Sequence, residues 1–484
     1  MNNMPSRWDE RNNSLLSLSD TLNAVNGTCL CSQEAKDVFC FTKVVTDSRN
    51  VEKNTLFIPL VGEKQDGHGY IVSSIKAGAT VVFVEEESYK KKDIFSDTII
   101  TDYPLVTFVI VKNTLHALQS LARAYIKKFP NLKRIGITGS SGKTTTKELI
   151  GSILSQKYKV IMNEGNLNSE TGLPLSVFKV KKEHQVGIFE MGMNRQGEIA
   201  ELASVLDPHF GVITNIGTAH IGLLGSKKQI AKEKKQIFSN FTDKSVAFIP
   251  KLDEYSTFLA EDVKGSLVFY GPKEEKHQAL DLGLKGTEFF VDDLVIRLPL
   301  PGKGNYYDAL AAVAVGKALG CSLQEIKKGI EEVKPLFGRS QIIEGEITVV
   351  QDCYNANPES VEQALDFFAS ISNPTEKKLP ILGDMLELGQ DSLVLHKEII
   401  KKVLEYNFKG LVLIGSEMAR GFKDLSTEIK KDCTVMIYDS TEKGIIQAGE
   451  FAKNFLNNKG LVLLKGSRGM QLERITPLLS GGNI

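Results

Sequence analysis

Residues 134–154 read RIGITGSSGKTTTKELIGSIL, an apolar β-rich run that passes directly into a glycine loop and then an amphipathic helix. The stretch predicts a buried strand, RIGIT, feeding a loop whose glycines let backbone N–H groups close on phosphate oxygens. The helix N-terminus that follows adds its partial positive charge. Lys143 is placed to reach β- and γ-phosphates, and the Thr144 hydroxyl to ligate Mg²⁺. The strict spacing Gly-x4-Gly-Lys-Thr is not met, because Ile137 sits where its first Gly belongs. An ordinary glycine turn has no need of Lys-Thr after a buried strand. Gly139, Ser140, Ser141, Gly142, Lys143, Thr144 and Thr145 therefore read as a nucleotide-binding loop.

Around this loop, apolar runs alternate with helical stretches: KVIM (159–162), VGIFE (186–190), GVIT (211–214), VAFI (246–249) and LVFY (267–270). Continuous apolar strands with helical crossovers imply a mostly parallel sheet covered on both faces. The alternation restarts after Gly338 with ITVVQ (347–351), LPIL (379–382), LVLI (411–414), VMIY (435–438) and LVLL (461–464), a second, smaller doubly wound unit. Upstream, residues 15–130 hold a helix-like LLSLSDTLNAV, short strands such as LFIPLV and TVVFVEE, and a helix over 114–128.

The expected fold is therefore α/β in three domains. A polar N-terminal extension (1–14) precedes a mixed α/β domain (15–130). A central P-loop-type domain with a parallel or mixed sheet (131–338) and a C-terminal Rossmann-like domain (339–484) follow. A length of 484 residues agrees with three cores rather than one.

Lys+Arg and Asp+Glu both total 59, so no whole-molecule charge draws nucleic acid or anionic membrane. No apolar run approaches the ~20 residues that cross a bilayer. The first twenty residues lack an apolar core after a basic start, so a cytoplasmic protein is expected. Cysteines stand at 29, 31, 40, 321, 353 and 433, without a zinc pattern, and reduced thiols are expected.

Three residues near strand ends stand where open α/β sheets bind ligands. Glu190 closes the apolar run VGIF, and His220 follows GVIT through the loop NIGTA. Lys234 lies in SKKQIAKEKKQIF. With about 100° per residue and Ile230 at zero, Ile230, Ala231, Ile237 and Phe238 define an apolar stripe centred near roughly 40°, and Lys234 falls at about that angle. A lysine there either snorkels or needs an anionic partner or chemical conversion. Lys232 and Lys235 fall away from the centre.

Together these residues resemble the Mur ligase family, whose loop reads Thr-Gly-(Thr/Ser)-x-Gly-Lys-(Thr/Ser) against TGSSGKT here. The resemblance extends from about residue 15 to the C-terminus. NLNSETGLPLSV (166–177), EMGMNRQGEIAELASVLDPHFGVITNIGTAHI (190–221), YNANPESV (354–361), GDMLELG (383–389) and KGSRGMQLE (465–473) are similar to the branch that joins D-alanyl-D-alanine to UDP-N-acetylmuramoyl-tripeptide. The resemblance implies ATP and Mg²⁺ as cofactors, those two molecules as substrates, and an enzyme of peptidoglycan precursor synthesis; a monomer is expected, although no residue pattern reports the oligomeric state. It implies that Lys143, Glu190, His220, Lys234 and Arg339 serve catalysis. Metal ligation falls to Thr144, Glu190, His220 and Lys234, the last carbamylated by CO₂. Asn305, Arg339 and Asp352 join the loop residues at the nucleotide. Ser48, Arg49, Asp66, His68, Asn166, Asn168, Asn355 and Asn357 fall to the substrates. The family's Gly-x-His-Asn-x-x-Asn-Ala is here Gly302-Lys303-Gly304-Asn305-Tyr306-Tyr307-Asp308-Ala309, and Asp308 lacks the amide donor of the Asn it replaces. A sister ligase with a different amine, a folylpolyglutamate synthetase and a P-loop regulatory NTPase stay open as alternatives.

Overall fold

The computed structural model describes residues 14–91, 95, 97–272, 279–371, 377–425 and 433–481. The expected N-terminal extension lies outside them up to Asn13. By residue contacts the chain divides into two compact units, 1–136 with 161–193 and 198–209, and 137–160 with 194–197 and 210–484.

In the first unit, β1 (Thr28–Leu30), β2 (Lys43–Val45), β3 (Thr55–Phe57), β4 (Ala79–Glu85) and β5 (Thr107–Val111) form a sheet in the order β1-β5-β4-β3-β2. Only β1 against β5 is antiparallel. Val81, Val82, Phe83, Val84, Phe108 and Val109 are buried, as strands covered on both faces require. The strand expected over LFIPLV stops at Phe57, since Pro59 has no N–H to give a ladder; Val61 makes an isolated bridge with Asp66. Ser17 caps helix Leu18–Val25 by accepting from the Asp20 N–H, and Asn113 does the same for helix Thr114–Ile126 through the His116 N–H. One expectation is corrected here. Cys29, in β1, and Cys31, just past its end, are read as thiols but joined in a disulfide, with Cα atoms 6.0 Å apart. Cys40, Cys321, Cys353 and Cys433 stand outside that disulfide.

Strand β6 (Lys133–Thr138) is RIGIT with one more residue, followed by β7 (Val160–Met162), β8 (Val186–Glu190), β9 (Phe210–Ile213), β10 (Val246–Pro250) and β11 (Ser266–Tyr270). Their sheet has the order β11-β10-β9-β6-β8-β7, and β10 runs parallel to both β9 and β11. In the second unit helix Lys143–Ser155 packs against helices Lys303–Ala318 and Leu323–Glu331. The approach needs glycine: a Cβ at Gly329 would stand 2.4 Å from the Ile153 Cα.

A small antiparallel sheet, β12 (Leu280–Asp281), β13 (Thr287–Val291) and β14 (Leu294–Leu298), was not expected from the sequence. The C-terminal sheet has the order β15-β16-β20-β17-β18-β19, with β15 (Gln341–Ile343), β16 (Ile347–Asp352), β17 (Lys378–Gly383), β18 (Gly410–Ile414), β19 (Thr434–Tyr438) and β20 (Gly460–Lys465). All pairs are parallel save β15 with β16. The five expected C-terminal strands fall on β16 to β20, and the expected α/β class with parallel sheets is what the chain has. Among the described residues no helix is long and apolar enough to cross a membrane.

Candidate active site

The phosphate loop joins β6 to helix Lys143–Ser155. Gly142 caps that helix in the left-handed region, φ +76°, where a side chain is strained; a Cβ there would also stand 2.2 Å from Asp308 Oδ1. At Gly139 a Cβ would stand 1.7 Å from Thr214 Oγ1. Both glycines are dictated by what lies against the loop. Thr214 donates from its hydroxyl to the Ser141 carbonyl at 2.5 Å, and the Thr214 N–H donates to the Thr138 carbonyl at 2.9 Å. The Asn215 side chain accepts from the Ser141 N–H at 3.0 Å and donates to the Ser141 hydroxyl at 2.8 Å.

Two cations meet at the start of this loop. Lys143 Nζ donates to the Gly139 carbonyl at 2.8 Å, and Lys234 Nζ donates to the same oxygen at 2.9 Å. Lys234 is 1% exposed, on helix Lys227–Lys235, whose buried residues include Ile230 and Ala231; Ile237 and Phe238 continue the stripe in a following 3-10 turn. Burial, and then the neighbouring Lys143 charge, hold the Lys234 amine well below the ordinary lysine range. Lys232 is exposed, and Lys235 donates to the Phe258 carbonyl at 2.8 Å.

The loop after β9 carries His220 in the left-handed region, φ +66°. Its Nδ1 lies 2.8 Å from Glu387 Oε2, and that pairing holds the Glu387 carboxyl below the ordinary glutamate range. Two residues earlier, both carboxylate oxygens of Glu359 accept from Thr218. Neither glutamate was singled out by sequence; each acts on a residue far away in the chain, and local spacing carries no signal of that.

Asp308 is buried against Gly142, so this departure from the family pattern meets the phosphate loop itself. Burial pushes its carboxyl up to about 8, although the Arg339 and Lys143 charges pull the other way. Asn305 donates to the Pro301 carbonyl at 2.7 Å. Beside Gly304, Gln363 Oε1 lies 2.7 Å from the place of a Cβ, so a larger residue would displace that side chain. Arg339 lies over the Tyr354 ring, 4.1 Å from its centroid. Asp352, at the end of β16, accepts from the Ser340 N–H at 3.1 Å and pairs with the buried Lys465 at 3.0 Å.

Glu190 is buried at the end of β8, where Asn168 donates to its Oε1 at 2.7 Å and the Asn163 side chain brackets its backbone at 2.9 and 3.1 Å. Asn166 is exposed, and its carbonyl accepts from the Asn168 N–H at 2.7 Å. In the first unit, Arg49 is exposed and forks onto Asp47, with Nη2 to Oδ2 at 2.6 Å, next to Ser48. His68 is buried with both ring nitrogens engaged: Nδ1 lies 2.6 Å from Asp66 Oδ1, and Nε2 accepts from the Glu85 N–H at 2.9 Å. Asn355 is exposed, while Asn357 is buried as the cap of helix Pro358–Ser370, exchanging hydrogen bonds with Ser360. Asn-Pro at a helix start is a signal the sequence carried. Among the described residues no three of His, Cys, Asp and Glu gather as metal ligands.

Three family models match in chain order: "Mur ligase family, catalytic domain" over residues 41–126, "Mur ligase middle domain" over 137–316, and "Mur ligase, glutamate ligase domain" over 338–468. The chain is 41% identical over 467 residues to the UDP-N-acetylmuramoyl-tripeptide--D-alanyl-D-alanine ligase of Treponema pallidum (strain Nichols), covering 96% of this chain and 99% of the relative. It is 31% identical to the Bacillus subtilis (strain 168) ligase of the same name, covering 89% and 92%. A crystal structure of MurF from Acinetobacter baumannii superposes with a TM-score of 0.83 at 28% identity, covering 96% of this chain and 99% of that one. With a phosphate loop of this geometry and similarity running through nearly the whole of both chains, the protein belongs to the Mur ligase family.

Proposed function

We propose that this chain ligates D-alanyl-D-alanine to UDP-N-acetylmuramoyl-tripeptide at the expense of ATP, in the cytoplasmic synthesis of peptidoglycan precursor. The observation that carries the reading is end-to-end similarity to ligases of that name in a chain whose phosphate loop gathers two lysines on one carbonyl. A carboxylate is a poor acyl donor, because its leaving group would be oxide. Transfer of the γ-phosphoryl group to the tripeptide carboxylate gives an acyl phosphate and ADP. The dipeptide amine then displaces phosphate and loses its proton, leaving an amide.

Positioning and charge neutralisation do most of the work in such a transfer. Lys143 and the loop amides from Gly139 to Thr145 hold the triphosphate, and Arg339 reaches phosphate. Asn305 and Asp352 serve the nucleoside side. Thr144, Glu190, His220 and carbamylated Lys234 are the groups for Mg²⁺. Thr144, Glu190 and carbamylated Lys234 would offer the oxygen donors that ion prefers, with His220 the one nitrogen among them. When bound, Mg²⁺ supplies charge neutralisation on the phosphates. A neutral, buried Lys234 amine is the form that reacts with CO₂, which turns a misplaced cation into a carboxylate-like ligand. Arg49, with Ser48, serves the UDP-precursor; Asp66 and His68 fix the neighbouring turn. Asn166, Asn168 and Asn355 serve the substrates, and Asn357 shapes its loop through its cap. A monomer suffices for this chemistry.

The test is stoichiometric. Purified chain with ATP and Mg²⁺ should release ADP only when both UDP-precursor and dipeptide are present, and product mass should rise by the dipeptide. ADP release with a different amino acid instead would make it a sister ligase. Release with neither would make it a regulatory NTPase.

A further inference from the structure

The loop 215–218 is tied down residue by residue. Asn215 engages Ser141, the Ile216 N–H donates to Asp253 Oδ2 at 2.7 Å, and the Gly217 N–H donates to the Ser140 hydroxyl at 2.8 Å. Ser140 returns its own hydroxyl proton to the Gly217 carbonyl at 3.2 Å, so a phosphate-loop residue and Gly217 are locked in both directions. These partners come from the sequence between 140 and 253.

Thr218 is held differently. Its N–H lies 3.0 and 3.1 Å from the two carboxylate oxygens of Glu359, and its hydroxyl donates to Oε2 at 2.7 Å, across a separation of 141 residues. Glu359 stands in the first turn of helix Pro358–Ser370, which packs within the C-terminal sheet's apolar core through Val361, Leu365 and Phe368. Gly217 makes room for it, since a Cβ there would stand 3.1 Å from the Glu359 carboxyl carbon. Lys227 Nζ, 3.4 Å from Glu359 Oε1, balances its charge.

We infer that Glu359 is a positioning residue whose carboxylate fixes the Thr218 amide and hydroxyl and so, through Gly217 and Ser140, keeps the phosphate loop in register with the C-terminal sheet. A carboxylate suits the task because it accepts from both donors at once. A glutamine offers one acceptor and turns an NH₂ toward a donor. An alanine leaves a partly buried N–H unpaired. For its kinetic readout this inference rests on the ligase reading; its structural readout does not.

The experiment uses the full chain as wild type, Glu359→Ala, Glu359→Gln, Thr218→Val and the Glu359→Ala/Thr218→Val double variant. Hydrogen exchange of the peptide over 214–224, without ligand, should speed up in Glu359→Ala by roughly tenfold or more, as expected when a protecting hydrogen bond is lost, with Glu359→Gln between. In ADP-release kinetics, kcat should fall roughly 10- to 100-fold in Glu359→Ala, the range for losing hydrogen bonds to a charged group. The KM for ATP should stay within about threefold, and Glu359→Gln should recover part of kcat. The double variant should be no slower than Glu359→Ala, because both changes break one contact. Unchanged exchange, faster exchange with wild-type kcat, or additive losses in the double variant would each overturn the inference. So would a fall in melting temperature that accounts for all of the lost rate, since that marks a merely structural role. If wild type releases no ADP with both substrates, the ligase reading fails, and exchange alone then decides the place of Glu359.

Discussion

Lys143 and Lys234 donate to one and the same oxygen, the carbonyl of Gly139, at 2.8 and 2.9 Å. One carbonyl has two lone pairs and satisfies both donors, but two full positive charges so close repel. The positive end of helix Lys143–Ser155 adds to the conflict. The structure resolves it at Lys234, whose burial and whose neighbour Lys143 both favour the uncharged amine. Lys143 keeps its place at the start of that helix.

Lys143→Ala should abolish turnover and leave the fold intact. Its Nζ serves the loop's rim rather than an apolar core, and the residue is only half-buried. The checks are ADP release and the melting temperature. Near wild-type ligation by this variant would remove the phosphate-loop assignment.

Asp308→Asn should bind ATP as well as wild type or better, and should gain stability relative to wild type as pH rises. In the unfolded chain the carboxyl ionises near 3.8, but burial holds it up to about 8 in the fold. Between those values the unfolded state sheds a proton that the folded state keeps, so rising pH favours unfolding, at most about 1.4 kcal/mol per pH unit. The loss accumulates across the window and levels off above the folded value. Asparagine carries no such proton. The melting-temperature difference, Asp308→Asn minus wild type, should therefore grow from pH 5 to pH 8; a flat difference would mean that Asp308 is ionised in the fold.

Asn357→Ala should lose about 1 kcal/mol of stability, the usual cost of removing a helix cap, and Asn357→Ser should recover most of it. Asn357 is buried and exchanges hydrogen bonds with Ser360 at the start of helix Pro358–Ser370. Urea unfolding measures the cost. If the serine variant is stable yet shows a much higher KM for the dipeptide, Asn357 touches substrate as well as capping.

What the sequence made legible follows from what is local. β6, β16, β17, β18 and β20 announce themselves as apolar runs because both faces of each are largely covered, whereas β19 is an apolar edge strand left partly exposed. Lys234 was legible because helical period places one cation on an apolar stripe. Glu359 was not, since an acid in the first helical turn after Asn-Pro reads as ordinary helix chemistry, and its partner Thr218 is 141 residues away. Glu387 escaped for the same reason. The β13–β14 hairpin did leave a trace, TEFFV and LVIRL on either side of Asp292-Asp293, with Asp292 at φ +53° as such a turn demands. Its strands mix Thr287, Glu288 and Arg297 among the apolar residues and leave Phe290 exposed, so neither shows the continuous apolar run that marks a buried strand.

Lys234→Ala should be nearly inactive, and the reason should be chemical rather than structural. If Lys234 carries a carbamate in the working enzyme, its side chain is anionic there and supports Mg²⁺ near the triphosphate; alanine removes that charge. A small carboxylic acid should fill the vacated space and restore part of the rate. Depleting dissolved CO₂ should slow the native enzyme and leave the rescued variant indifferent, and ¹³CO₂ should give the native chain a carbamate carbon signal that Lys234→Ala lacks. Lys232→Ala should be mild, since that side chain is exposed. Lys235→Ala should lose some stability, because Lys235 lies over the Phe258 ring at 4.7 Å, but should keep its rate. If Lys232→Ala and Lys235→Ala slow ligation as much as Lys234→Ala does, the carbamate assignment fails. If only Lys234→Ala is slow, no acid rescues it and CO₂ has no effect, then the unmodified amine at the Gly139 carbonyl is the working form, and Lys234 acts on phosphate directly.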